Sequence, residues 1–364
     1  MDLNKLLETM VQKKSSDLHI RAGLPPVARI DGQLVPLDHP KVTPKESSEV
    51  VFHLMNERLR KEFEERLECD LSCSLAGLGR FRINVYRQRG SVNMAIRHVP
   101  DKIKNFQELK LPPVIQALSD NSRGLVLVTG TTGCGKSATL AAMIDYINET
   151  RSTHVVTIED PIEYLFKDKK SIISQRELGF DTRNYLEALK HVVRQDPDVI
   201  LLGEMRDLET TAAAITAAQT GHLVLSTIHT VNATQTVSRI VDLFPPHQQP
   251  QIRFQLSDTL KGVVSQRLLP SSSGSGRVPA VEILVVTALV RKHIEENNLA
   301  EISSLMKQGS YYGMQTFNQA LLTLYNNGEV TLEDALATAS NPEELMLAIR
   351  GIESGSAGAD KMYE

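Results

Sequence analysis

Gly130-Thr131-Thr132-Gly133-Cys134-Gly135-Lys136-Ser137 carries the spacing G-x-x-x-x-G-K-S. Residues of these types in this order can wrap a polyphosphate. Glycines let successive backbone N–H groups turn inward on anionic oxygens, and a helix starting at the lysine would add its partial positive charge. Lys136 would reach the β- and γ-phosphates of a nucleotide such as ATP, and the Ser137 hydroxyl would hold Mg2+. Thr131, Thr132, Cys134 and Ala138 complete the candidate binding loop. The competing reading is a Gly-rich turn with an exposed lysine. Cys134 is likewise open to two readings: a thiol whose oxidation would block nucleotide, or a small residue that fits the turn.

Phosphoryl transfer to water also needs a held metal, a group that orients the water, and positive charge on the γ-phosphate. Val199-Ile200-Leu201-Leu202-Gly203-Glu204 is an apolar run ending in a carboxylate, with glycine where an Asp-Glu pair would place the aspartate. Glu204 is then the carboxylate at that tip able to act on Mg2+, through the metal's waters; otherwise it is a solvated residue after a strand. Thr157 to Glu163 holds Glu159, Asp160 and Glu163 at the end of a second run. Either bulk water solvates them, or one of them orients or deprotonates the attacking water. His222 and His229 flank a third run and could sense a γ-phosphate or be plain fillers; an intervening strand puts them too far apart to share a metal. Arg80 and Arg82 share one face of a strand, and Arg97 lies on a later one. They read as a solvated sheet face or as arginine fingers offered across a domain interface.

Elements that could position these groups follow from periodicity. Strands are expected at 125–129, 154–158, 198–202 and 223–228, with helical segments between them, including a stripe of Tyr185, Leu186, Leu189, Val192 and Val193. This alternation predicts an α/β core with a mainly parallel sheet, whose ligands gather at the carboxyl ends of the strands. The first hundred residues read as a separate α+β domain, with helices at 3–13 and 44–66 and strands at 27–30, 81–86 and 92–97. Residues 101–120, with Pro112-Pro113, read as a linker, and 271–276 as a flexible surface loop followed by short helices. Asn326-Asn327-Gly328 stops one of these helices and Asn341-Pro342 starts another; 353–364 reads as a disordered tail.

The bulk properties fit a soluble two-domain protein of 364 residues, 41% hydrophobic and 23% charged. A net charge of −4, no Trp and no aromatic-basic stripe argue against a nucleic-acid partner. Three cysteines are too few for a disulfide framework and fit a reducing compartment. No signal peptide is expected from the opening residues, and the greasiest window, 281–290, is too short to insert in a membrane, so the expected location is cytoplasmic.

These segments together resemble the secretion-superfamily ATPases of type IV pili and type II secretion, the PilT-type twitching-motility (pilus retraction) branch above all. The resemblance runs from Ser16-Asp17-Leu18-His19-Ile20 through Gly79–Arg89, the phosphate loop, Ile158–Glu163, Arg194–Asp207 and Thr220–His229 to Tyr312–Phe317. It implies a PAS-like domain (1–100), the linker, and a RecA-like core with a C-terminal helical part (121–352), six chains forming a ring with ATP between the two domains of one chain. By motif, Glu163 would be the catalytic carboxylate and Glu204 the Walker B glutamate; Arg82 and Arg97 would close over the γ-phosphate. Glu159 and Asp160 would line the same site, and His229 would report on the phosphate with His222 in support. The homohexamer would work on a pilus platform protein at the cytoplasmic face of the inner membrane. Thr131, Cys134 and Ala138 replace the branch's usual Pro, Ser and Thr, and Leu289–Glu295 keeps only one arginine and the apolar stripe of its retraction-associated helix. A PilU-like accessory ATPase, beside a PilU-type paralogue as possible partner, or a scaffold subunit with little turnover, is the alternative.

Overall fold

The computed structural model describes residues 1–352 apart from Asp31, Ala76, Pro100, Asp101 and Ser275; the expected tail, 353–364, lies outside the described residues. The chain divides into two compact units, Met1–Lys102 with Glu163–Leu165, and Ile103–Ile162 with Phe166 onward.

In the first unit, α1 (Leu3–Gln12) leads to β1 (Asp17–Ile20), β2 (Val27–Ile30) and β3 (Gln33–Pro36). Helices α2 (Pro44–Leu54) and α3 (Glu57–Arg66) precede β4 (Glu68–Leu75), β5 (Gly79–Gln88) and β6 (Ser91–Val99). The strands form one antiparallel sheet in the order β3-β2-β1-β6-β5-β4. Along β5 the two-residue alternation sends Phe81, Ile83 and Val85 into a core with Leu7, Met10, Phe63 and Met94, and leaves Arg80 and Arg82 on the opposite face. The helix expected over 44–66 is two helices. The Asn56 side chain accepts from Leu59 N at 3.0 Å and starts a new one, so the chain turns there. Strands β1, β3 and β4 were not expected. Strands β1 and β3 have four residues each, and β3 is exposed throughout, so no apolar face marks it.

The second unit opens with α4 (Val114–Ser119), a helix inside the segment read as linker, where Ile115 and Leu118 are buried. Then follow β7 (Gly124–Thr129), α5 (Lys136–Thr150), β8 (His154–Glu159), β9 (Ile172–Glu177), α6 (Tyr185–Val192), β10 (Val199–Leu202), α7 (Leu208–Gln219) and β11 (Leu223–Ile228). Helices α8 (Ala233–Asp242) and α9 (Gln249–Thr259) lead to the hairpin β12 (Leu260–Pro270) and β13 (Arg277–Val285). The remaining helices are α10 (Ala288–Glu295), α11 (Leu299–Gln308), α12 (Phe317–Asn326), α13 (Leu332–Thr338) and α14 (Pro342–Ile349). The seven strands run β13-β12-β7-β11-β10-β8-β9, parallel except for β13. Every residue of β7 is buried: Leu125 and Leu127 face one core, Val126 and Val128 the other, as a strand covered on both faces requires. A strand, β13, rather than a helix follows the 271–276 loop. The apolar 281–290 window is shared between β13 and the first turn of α10.

Among the described residues no helix is long and apolar enough to cross a membrane.

One buried carboxylate ties β13 to two helices. Glu282, 8% exposed, accepts from Ala233 N at 2.9 Å in the first turn of α8, and also from the Phe317 N–H that opens α12. Burial pushes its carboxyl up, against the pull of those hydrogen bonds and of Arg267. A raised acid favours the folded state while protonated, and that contribution is lost as pH rises through its folded pKa. Glu282→Gln keeps the acceptor without the charge. The melting temperature of the variant relative to its parent is expected to climb as pH rises above the ordinary carboxylate range, and a flat difference across paired thermal melts would contradict this reading.

Candidate phosphate-binding site

Residue 130 has to be glycine. Its φ is +138°, and a Cβ there would stand 2.5 Å from both Cys134 Sγ and the Gln266 carbonyl oxygen. Gly133 and Gly135 also have positive φ, at +79° and +95°, which lets the chain double back and enter α5 at once. Gly135 is the N-cap of that helix and offers no side-chain oxygen to its first N–H groups, so these are left for an anion. Lys136 Nζ donates to Gly130 O at 2.9 Å and Thr131 O at 3.0 Å, which holds the ammonium across the loop. Thr131, Thr132 and Gly133 are exposed, and Lys136, Ser137 and Ala138 are half-buried. Underneath, Gln266 Nε2 donates to Thr139 Oγ1 at 2.8 Å in the buried interior and anchors the first turns of α5 to β12. Cys134 is buried beneath the loop, and burial pushes its thiol up more strongly than Lys136 pulls it down. It is the small residue that fits the turn. The uncapped helix start, the three positive-φ glycines, the ammonium and the Ser137 hydroxyl fit the phosphates of a magnesium nucleotide. Among the described residues no group of three or more His, Cys, Asp or Glu side chains could hold a metal alone, and Mg2+ commonly relies on substrate phosphates as well as protein.

Strands β7, β11, β10 and β8 are neighbours and parallel, so their carboxyl ends share one edge with the loop. Glu159 closes β8, only 9% exposed, and its Oε1 accepts from Thr157 Oγ1 at 2.7 Å and Gln175 Nε2 at 3.2 Å. Asp160 beside it is exposed. Glu204 lies two residues past β10, 8% exposed, in an ion pair with Arg206 and with its Oε2 3.4 Å from His229 Nε2. Gly203 is enclosed: its N–H donates to Ile158 O at 2.8 Å, and its carbonyl accepts from Thr227 Oγ1 at 2.7 Å. A Cβ on it would meet Tyr185 Oη at 2.7 Å and Ile158 O at 3.3 Å, so a side chain there would have to displace the tyrosine hydroxyl. Tyr185 and Arg206 were not singled out for chemistry in the sequence. Tyr185 entered only as part of a helical stripe, and Arg206 carries no spacing signal of its own.

The two histidines part company. His229 follows β11 at the loop edge, where Ile228 pairs with Thr129. His222 precedes the same strand at the opposite edge. Its carbonyl accepts from Gly124 N at 3.0 Å, and its Nδ1 contacts Ala217 O at 2.8 Å and Thr220 Oγ1 at 3.2 Å at the end of α7. The expected support of His229 by His222 is therefore not made within this chain: the length of β11 separates them. In the first unit, Arg82 and Arg97 are directly opposed on β5 and β6. Carboxylates offset that like-charge pairing. Asp17 Oδ1 lies 2.9 Å from Arg97 Nη2, and Glu163, which groups with this unit rather than with the core expected for it, has Oε1 3.6 Å from Arg82 Nη1.

The Type II/IV secretion system protein family model matches residues 1–337, and the chain belongs to that family. It is 44% identical over 343 residues to the type IV pilus retraction ATPase PilT of Pseudomonas aeruginosa, covering 94% of this chain and 99% of that one. It is 43% identical over 350 residues to the type IV pilus ATPase PilU of the same organism, covering 96% and 92%. A crystal structure of the pilus retraction motor PilT with bound ADP matches with a TM-score of 0.89 at 48% identity, covering 95% of this chain and 99% of that one. The Legionella pneumophila ATPase DotB, 24% identical with a TM-score of 0.82 over 96% of each chain, shares the fold. That fold is a RecA-like ATPase core preceded by an N-terminal domain.

Gly130→Ala is expected to displace the loop while leaving the sheet intact. ADP affinity, read by a fluorescent analogue, should fall at least about tenfold with the thermal melt little changed. Undiminished binding would show that the loop tolerates the Cβ and that the tight turn does not matter.

Proposed function

We propose that this chain is a motor of the type IV pilus machinery that hydrolyses Mg-ATP and drives pilus retraction and twitching motility. The observation that carries the reading is the uncapped start of α5, with Lys136 held across its loop, at the same sheet edge as buried Glu204. Relatives named as pilus ATPases of nearly the same length support the rest.

The roles follow from chemistry and motif. Backbone N–H groups from Gly133 to Ser137 and the Lys136 ammonium bind the β- and γ-phosphates, with Thr131, Thr132 and Ala138 lining the loop. Bound Mg2+ neutralises charge developing on the phosphate oxygens. Ser137 holds the metal directly and Glu204 acts on its waters. Glu163 orients and deprotonates the attacking water, while Glu159 and Asp160 keep the edge acidic. Arg82 and Arg97 place positive charge on the transferring phosphoryl group. His229, already against Glu204, links that carboxylate to the state of the γ-phosphate. We read the first unit as the PAS-like domain, the working assembly as a homohexamer, and its target as a platform protein at the cytoplasmic face of the inner membrane.

A PilU-like accessory role is a second reading, favoured by 43% identity to a PilU over 96% of the chain. A deletion strain separates the two. Excess pili without surface movement supports retraction, and normal pilus number with impaired movement supports the accessory role.

The enzymatic core of the proposal is tested on purified protein. Glu163→Gln should abolish phosphate release while ATP binding and ring assembly persist. Arg82→Ala should lower turnover by about a thousandfold with ADP affinity nearly intact. Negligible hydrolysis by the parent would favour a scaffold subunit, and a matching loss of ADP binding in Arg82→Ala would make that arginine structural.

A further inference from the structure

The carboxylate missing from position 203 leaves a place in the fold, and another side chain fills it. Tyr185 opens α6, its ring packed against the core formed by β8, β10 and their covering helices. Its Oη lies 2.7 Å from where a Cβ of Gly203 would be. We infer that Tyr185 is a positioning residue for the magnesium nucleotide: its hydroxyl hydrogen-bonds a water of the metal, supplying from α6 the polar contact that Gly203 leaves out of β10. This rests on the Mg-ATP reading above.

Three features support it. Asp160, Glu204, Arg206 and Glu159, all assigned to that end of the site, are close enough to Tyr185 to act on it electrostatically. Burial first, then those carboxylates, push the phenol further above its ordinary range, so it remains a neutral O–H that can both donate and accept. Tyr185 Oη makes no protein hydrogen bond among the described residues and is not one of the fully enclosed unpartnered polar atoms, so a water can reach it. The polar atom of Tyr185 is thus set near the carboxylates that follow β8 and β10.

Tyr185→Phe removes that oxygen and keeps the ring. The measurement is binding of a fluorescent ADP analogue to the full chain while Mg2+ is titrated, which needs no turnover. Loss of a group that orients metal ligands should raise the half-saturating Mg2+ about tenfold. Binding of the analogue in EDTA should stay within about twofold of the parent, because the phosphate loop is untouched. A magnesium titration that superimposes on the parent's overturns the inference, and so does an equal loss with and without metal. A second pair of variants tests the position of the hydroxyl. Gly203→Ala should weaken magnesium-dependent binding in the parent, where its methyl meets Oη, and weaken it less on the Tyr185→Phe background. Equal effects in both backgrounds would show that the two groups do not compete for one place. If the unmutated chain binds no analogue at all, the nucleotide reading itself fails and this inference falls with it; normal parent binding with an unaltered Tyr185→Phe defeats the inference alone.

Discussion

Between β7 and α5 the chain must reverse within a few residues, while the space beneath it is already filled by Cys134 Sγ and the Gln266 carbonyl. Only a residue without a side chain can pass there, and only positive φ carries it through. From this constraint the rest of the site follows. Because the turn is that tight, α5 starts at the sheet edge with its first N–H groups uncapped and pointing outward. Because Thr139 and Gln266 share a buried hydrogen bond, the start of that helix is fixed to the neighbouring strand and not left to fray. An anion site made of backbone dipoles needs this rigidity, since the dipoles help only if they do not have to reorganise when charge arrives.

Charge balance is the second constraint. A carboxylate as enclosed as Glu204 carries a desolvation cost of several kcal/mol when ionised and unpaired. Arg206 offsets it, and His229 adds to this if protonated. Both partners are long or rotatable side chains on loops just beyond strands, so they can hold the carboxylate in one state and give it up in another. The same arrangement recurs in the first unit, where Asp17 and Glu163 hold Arg97 and Arg82. Carboxylates beside both arginines reduce the repulsion between two like charges opposed across a ladder.

The features legible in the sequence were those with a short period or a fixed spacing. The G-x-x-x-x-G-K-S turn names its own flanking elements, and β7, β8, β10 and β11 are apolar runs because both of their faces are covered. Strand β3 went unseen because all four of its residues are exposed, so no apolar face marks it. The β12–β13 hairpin hid for a different reason: 271–276 read as a flexible surface loop followed by short helices, and the apolar run of β13 continues into α10. At the site, Glu204 and Glu159 could be read from strand ends, because the end of a strand is a position in sequence. Tyr185 could not. Its hydroxyl meets Gly203 only because α6 covers β8 and β10, a tertiary contact with no fixed spacing. The separation of His222 from His229 was legible, because the strand between them is a run in the sequence; the local contacts of His222 with Ala217 and Thr220 were not.

What leaves the site through β11 is as constrained as what enters it through β7. After His229 the chain is fixed again within four residues. Thr230 is buried and shares a 2.7 Å hydrogen bond with Thr236, the Asn232 side chain caps Gln235 N at 2.8 Å, and Ala233 N is held by Glu282 of β13. Little slack remains in that segment. A displacement of His229 must therefore be taken up by α8 as a body, or by β13 through Glu282, and Glu282 also receives the first N–H of α12. A buried charge shared by two helix starts resists being pulled from either, because each lost hydrogen bond leaves a charged group less satisfied in a poorly solvated place. The path from the phosphate edge to the C-terminal helices is thus a short run of capped helix ends, stiff because its polar groups are buried and paired.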